Sequence, residues 1–292
     1  MQKSILACGA YRIDLTRPRV VGIVNITSDS FSDGGRYLLA EAAIAHAFRL
    51  IEEGADIIDI GAESSRPGAA PLAAEDELSR LLPVLKAVRD AGVPISVDTY
   101  KPEVMQSVLD HGASMINDIW GLRQPGALDI AARNDCAVCV MHMQGEPKTM
   151  QEGPHYKDVV VEVRDFLAER VRTLEDAGIG HDRIVADPGF GFGKTTDQNF
   201  SLLRHFDVLR SLDVALLAGI SRKSMLGAVT GKSVNERAGS SVAAAIAAAA
   251  RGAHLLRVHD VGLTIDALKT WEMVENPGFE EQFFPERTAQ GL

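Results

Sequence analysis

Eight short apolar runs recur along the chain, each followed by a longer stretch of helical period, and few folds can use that alternation. The runs are VVGIVNIT (20–27), IIDIGA (57–62), PISVDT (94–99), MINDIW (115–120), CAVCVMHM (136–143), IVADPG (184–189), ALLAGIS (215–221) and LLRVHD (255–260). Between them lie amphipathic segments such as AEAAIAHAFRLIEEGA (40–55) and DVVVEVRDFLAERVRTLEDAG (158–178), with glycine at or near the end, where helices tend to stop. Strand followed by helix, eight times over, predicts an α/β fold, a (β/α)8 TIM barrel. An open doubly wound sheet would use the same elements, but eight strands within 292 residues favour closure.

Residues 1–19 are expected to form a hairpin that closes the bottom of the barrel, and residues 276–292 a tail packed outside it. No linker, low-complexity tract or internal repeat interrupts the pattern, so residues 1–292 are read as one domain. The longest apolar run, VAAAIAAAA (242–250), is about half of the ~20 residues that a membrane span needs. A formal charge of −10 argues against a surface built to neutralise nucleic-acid phosphates, although a local basic pocket for a small anionic ligand remains compatible with it. Three cysteines make no disulfide framework, and the first fifteen residues carry no apolar stretch of export-signal length. A cytoplasmic location is expected, with no membrane or nucleic-acid partner. The alanine-rich segment can pack closely on its own barrel or on a second subunit, and the frequency of homodimers among soluble enzymes makes a homodimer the expectation.

Strands of a parallel barrel are covered on both faces and should be apolar throughout, so the polar residues that end these runs need a reason. They are Asn25, Glu63, Asp98, Asn117 with Asp118, His142, Asp187, Ser221 with Lys223 beyond it, and Arg257 with His259. The C-terminal ends of barrel strands share one mouth, where active sites form. Each residue alone could be a helix cap, a turn former or a satisfied core histidine. Placing Asp98 and Asp187 together near the axis would be costly without a cation or a ligand rich in donors.

Several motifs fail on inspection. ADPGFGFGKTTDQN (186–199) lacks the first glycine of a Walker A loop, that position being Pro188; its glycines instead suit close approach to a flat ligand, with Phe192 presenting a ring face. CAVC (136–139) lies in a strand, where residues three apart face opposite ways, so core cysteines are expected and not a redox pair. No metal-binding Cys/His spacing appears. SSRPGA (64–69) and GISRKSMLG (219–227) bring hydroxyls, cations and glycines past the second and seventh runs, the latter where such barrels often bind phosphate. Lys223, beside Arg222 and beyond the strand, reads as a charged donor and not as a Schiff-base nucleophile.

GIVNITSDSFSDGG (22–35), GAESSRPGA (61–69), ISVDTYKPEV (95–104), INDIWG (116–121), VMHMQGEPKTMQ (140–151), ADPGFGFGKT (186–195), LAGISRKSMLG (217–227) and RVHDV (257–261) occur in that order. Together they closely resemble the dihydropteroate synthase family over nearly the whole chain. The resemblance implies a barrel that joins 6-hydroxymethyl-7,8-dihydropterin pyrophosphate to 4-aminobenzoate with Mg2+ assisting, by departure of pyrophosphate and trapping of a pterin methylene cation. By motif position it implies a pterin site of Asp98, Asn117, Asp187, Lys223 and Arg257, with Met141, Phe192 and Gly219 lining it. Asn25 would ligate Mg2+ and, with Ser65, Arg66, Arg257 and His259, hold the pyrophosphate. Phe31, Pro67 and Phe192 would wall the aminobenzoate ring, with Ser224 on its carboxylate. Asp33, Lys223 and Arg257 would act on the reacting groups, and ITSDSFSDGGRY (26–37) and SSRPGA would close over them as loops. Departures from the family are small: Ser65 for a common threonine, Ala62 for a frequent glycine, and Glu146 where a small residue is usual. A corrinoid methyltransferase that uses a pterin substrate, and a pterin-binding protein without turnover, are the alternative readings; intact SSRPG and SRKS loops favour neither.

Overall fold

The computed structural model describes residues 5–26, 35–63, 71–146 and 149–275. Strands β1 (Ile5–Cys8) and β2 (Tyr11–Asp14) pair antiparallel, with Ile5 opposite Asp14 and Cys8 opposite Tyr11. Eight parallel strands follow: β3 (Arg19–Asn25), β4 (Ile57–Gly61), β5 (Ile95–Asp98), β6 (Met115–Asp118), β7 (Ala137–Met141), β8 (Ile184–Asp187), β9 (Ala215–Ala218) and β10 (Leu255–Val258). They close in chain order, β10 returning to pair with β3, so the alternation in the sequence resolves as a closed (β/α)8 barrel and not as an open sheet.

The helices are α1 (Gly35–Glu52), α2 (Ala74–Val88), α3 (Pro102–Asp110), α4 (Ala127–Arg133), α5 (Val159–Asp176), α6 (Thr196–Arg204), α7 (Ser224–Thr230), α8 (Ala238–Ala249) and α9 (Val261–Glu275). Local chemistry sets several of their starts. Asp158 caps α5 by accepting from the Val160 and Val161 amides, and Thr195 and Gln198 form a reciprocal capping box on α6. Pro102 opens α3, where its fixed φ suits the first turn and its missing N–H costs nothing.

Strand alternation divides the interior in two. Val20, Val24, Ile58, Ile60, Ile95, Val97, Ile116, Val138, Val140, Ile184, Ala186 and Leu216 point outward and pack against the helices. Val21, Ile57, Met115, Ala137, Cys139, Val185, Ala215, Leu217 and Leu255 point inward and meet Leu6, Cys8, Ile13 and Leu15 of the hairpin, which plugs the lower end. The lower barrel is therefore largely apolar. Ser96 of β5 is a buried hydroxyl of the same inward parity, paired with Met115; Asp59, Asp98, Asn117, Asp187 and Arg257 share that parity farther along their strands, and there they define the candidate site.

Candidate active site

Inward parity carries Asp59, Asp98, Asn117, Asp187 and Arg257 to one mouth from β4, β5, β6, β8 and β10. Arg257 ties them together. Its Nε donates to Asp59 Oδ2 at 2.6 Å and its Nη2 to Asp98 Oδ2 at 2.8 Å, while Asn117 Nδ2 donates to the same Asp59 oxygen at 3.3 Å. Across the mouth, Asp187 Oδ1 accepts the Gly189 amide at 2.7 Å. A Cβ at Gly219 would lie 3.8 Å from Asp187 Oδ2 and 4.0 Å from Arg257 Cβ, so this glycine keeps the space between acid and base open. Lys223, just beyond β9, places its Nζ 4.2 Å from the centre of the Phe192 ring. One face of Phe192 is thus covered by a cation, and the ring joins Met141, Met143, Met150 and Ile119 in an apolar cluster at the rim.

Asp59, Asp98 and Asp187 face Arg257 and Lys223, an excess of one negative charge when all are ionised. Burial is the first cause of the shifts of Asp98, Asp187 and Lys223. Burial, only partly opposed by Arg257 and reinforced by Asp59, pushes Asp98 up to about 7. Burial also raises Asp187, against the Gly189 N–H and the nearby Lys223 and Arg257. Lys223 is pulled down to about 8 by burial and by Arg257, with Asp187 and Asp98 resisting. Burial works against the charge of Arg257, but Asp59 and Asp98 more than offset it. A pocket of this kind suits a planar ligand with several N–H donors on one edge, since carboxylates accept paired, charge-assisted bonds from such an edge.

The loop after β8 is held by backbone geometry and one lysine. Gly189 has φ +70°, and a Cβ there would lie 2.0 Å from the His142 carbonyl oxygen, so no other residue lets the chain turn past β7 at this point. Lys194, 3% exposed, spends its three N–H donors on Gly189 O (2.9 Å), Phe192 O (3.0 Å) and His142 Nδ1 (3.0 Å). Burial lowers Lys194 to about 7, with Asp187 resisting, but three well-placed acceptors are what a buried ammonium requires. His142, whose pKa burial and Lys194 push far down, serves as the neutral acceptor. It lies edge-on to Phe166 with ring centres 5.0 Å apart, so it is a satisfied core histidine.

Other strand-end residues divide in the same way. Asp118 has outward parity and caps the Trp120 and Leu122 amides at 2.7 and 2.8 Å. Glu63 binds the Lys101 ammonium, which also contacts Glu77, and accepts from Tyr100 Oη at 2.8 Å. His259 stays at the mouth, its Nδ1 2.9 Å from Ser221 Oγ and its backbone N–H 3.2 Å from the same oxygen. Burial, Arg222 and Arg257 lower it to about 4, so it is neutral at neutral pH, and a serine proton on Nδ1 leaves Nε2–H as a donor. Asn25, at the end of β3, is exposed, as is Ser224 at the start of α7. Phe31, Asp33, Ser65, Arg66 and Pro67 lie outside the described residues.

Two residues escape a reading based on strand ends. Asp59 sits inside the apolar run IIDIGA, and only its parity, shared with Gly61, marks it as an interior acid. Lys194 sits in a glycine-rich loop, where a lysine suggests a ligand contact and not an internal pin.

The pterin binding enzyme family model matches residues 21–259. Dihydropteroate synthase of Escherichia coli strain K12 is 48% identical over 261 residues, which cover 89% of this chain and 93% of that protein. This chain belongs to the dihydropteroate synthase family of pterin-binding enzymes. Among its solved structures, Xanthomonas albilineans dihydropteroate synthase with 4-aminobenzoic acid is 51% identical, with a TM-score of 0.88 over 94% of this chain and 98% of that one. The Xanthomonas albilineans enzyme in complex with 7,8-dihydropteroate is 47% identical, with a TM-score of 0.84 over 94% and 99%. Membership of the dihydropteroate synthases sets aside the methyltransferase reading. A pterin binder without turnover differs from a synthase only in catalysis, which an assay decides.

Proposed function

We propose that the protein catalyses the dihydropteroate synthase reaction, joining 6-hydroxymethyl-7,8-dihydropterin pyrophosphate to 4-aminobenzoate. The observation that carries this reading is the convergence of Asp98, Asn117 and Asp187 with Arg257 and Lys223 on one rim. The acids and the asparagine would take the amino-pyrimidine edge of the pterin, and Lys223 would donate to its acceptor atoms. Arg257 would lie beside the ring and reach the pyrophosphate, with Asn25, Ser65, Arg66 and the neutral N–H of His259.

The bond between the pterin methylene carbon and the pyrophosphate oxygen breaks first, its electron pair leaving with the pyrophosphate. The aryl nitrogen then bonds to the methylene cation and loses a proton. Cations around the leaving group stabilise its growing charge, and Asp33 would stand near the amine. Phe31, Pro67, Phe192 and Ser224 would hold the aminobenzoate and keep water from the cation.

Mg2+ fits this chemistry as a partner of the phosphates. Among the described residues no three His, Cys, Asp or Glu side chains gather to hold a metal. An ion that keeps water and phosphate oxygens as ligands needs few from the protein, and the exposed amide of Asn25 is a suitable hard donor. When bound, the ion would neutralise phosphate charge.

A homodimer goes with the reading, supported by exposed apolar side chains on helices beside α8, Val229 at 62% and Val274 at 74%. So does a cytoplasmic location, in keeping with three free, buried cysteines and with no described helix long and apolar enough to cross a membrane.

The test is incubation with both substrates and Mg2+. Stoichiometric release of pyrophosphate and 7,8-dihydropteroate is expected; pterin binding without either product would leave a silent binder.

A further inference from the structure

Arg257 has two carboxylate partners, and they differ in access. Asp59 lies within β4, its side chain 1% exposed, and holds Nε at 2.6 Å. Asp98 is the last residue of β5, its side chain 20% exposed, and holds Nη2 at 2.8 Å. A ligand entering from the mouth therefore reaches Asp98 and not Asp59. The second oxygen of Asp59, Oδ1, is buried with no hydrogen-bond partner, so among the described residues Arg257 and the Asn117 amide are the groups that compensate this acid.

If the pterin takes Asp98, as the proposed function holds, its N–H donors compete with Arg257 for that carboxylate. A buried guanidinium that loses its only partner is strongly destabilised. We infer that Asp59 is a positioning residue that anchors Arg257 through Nε while Asp98 passes from Nη2 to the pterin. Arg257 then keeps its charge and its aim when the substrate enters, and the released Nη2 is free to turn toward the pyrophosphate. The inference rests on the pterin reading and adds to it a residue that touches no substrate.

Asp59 also bears on how Asp98 titrates. Asp98 is faced by Arg257 from β10, Asp59 from β4, Asp118 from β6, Glu77 from α2 and Lys223 beyond β9. Removing the charge of Asp59 removes one of the neighbours that hold the Asp98 proton on.

The test compares wild type with Asp59→Asn, titrated calorimetrically with 6-hydroxymethyl-7,8-dihydropterin pyrophosphate over a series of pH values. A positioning role predicts about tenfold weaker binding or more, the loss expected when a charged hydrogen-bond partner becomes neutral. It also predicts that the acid limb of the affinity profile moves to lower pH as Asp98 loses a negative neighbour, whereas a role in packing alone would leave the limb in place. Wild-type affinity with an unmoved limb in the variant overturns the inference alone; failure of the wild type to bind overturns the pterin reading beneath it. Should Asp59→Asn not fold, NMR of the wild-type Arg257 Nε–H, assigned through Arg257→Lys, decides. Protection from exchange both before and after pterin addition is expected, and protection lost on addition refutes the anchor.

Discussion

Asp98 must be a carboxylate to accept from a pterin, and Lys223 must be an ammonium to donate to one. Asp98 has its pKa raised to about 7 and Lys223 has its lowered to about 8, so the two requirements overlap only narrowly. Pterin affinity in the ligand-free protein should therefore rise as pH climbs through about 7, and fall again as it passes about 8. Calorimetric titration over that range checks both limbs. Asp187 belongs to the same rim, and the Gly189 amide donates to its carboxylate. Asp187→Asn is expected to weaken pterin pyrophosphate binding by about 2–4 kcal/mol, since a buried donor of the ligand would lose a charged acceptor; unchanged affinity would remove Asp187 from the site. At this scale the sequence was legible where polarity broke an apolar run at its end, as at Asp98, Asn117, Asp187 and Arg257. It was silent on parity. His142 and Asp187 both close strands, yet one faces the helices and the other the axis, and Asp59 escapes a reading of run ends because it lies inside its run, where an acid also breaks the apolar pattern.

The elements follow from period and punctuation. α5 ends two residues before Gly178 and α1 two before Gly54, as their glycines suggest. Less legible is the β8 loop, whose shape depends on contacts with the chain just beyond β7: Gly189 against the His142 carbonyl, and Lys194 caged by that residue and two loop carbonyls. Gly189→Ala should test how far the site depends on this turn. The positive φ alone costs an alanine about 1–3 kcal/mol, and its Cβ would overlap a carbonyl that hydrogen-bonded strands hold in place. A lower midpoint of thermal unfolding together with weaker pterin binding is expected, and a variant that melts with the parent would show that the loop can relax.

In the whole molecule the barrel separates stability from chemistry. The lower half, sealed by the β1–β2 hairpin, is built around an apolar cluster; the upper rim carries Asp98, Asp187, Lys223 and Arg257, buried charges that are costly to the fold and suited to a ligand. Closure was legible because eight strand–helix units within 292 residues favour a barrel over an open sheet, whereas the meeting of Asp59, Asp98, Asn117 and Arg257 depends on the stagger that brings Arg257 beside Val21 at the seam. The most direct measurement is diffraction from crystals grown with the pterin pyrophosphate and Mg2+. The ring should lie with its amino-pyrimidine edge on Asp98, Asn117 and Asp187, and the phosphates between Arg257, His259 and Asn25. A pterin seated away from this rim, or one whose donors meet none of the three, would contradict the account.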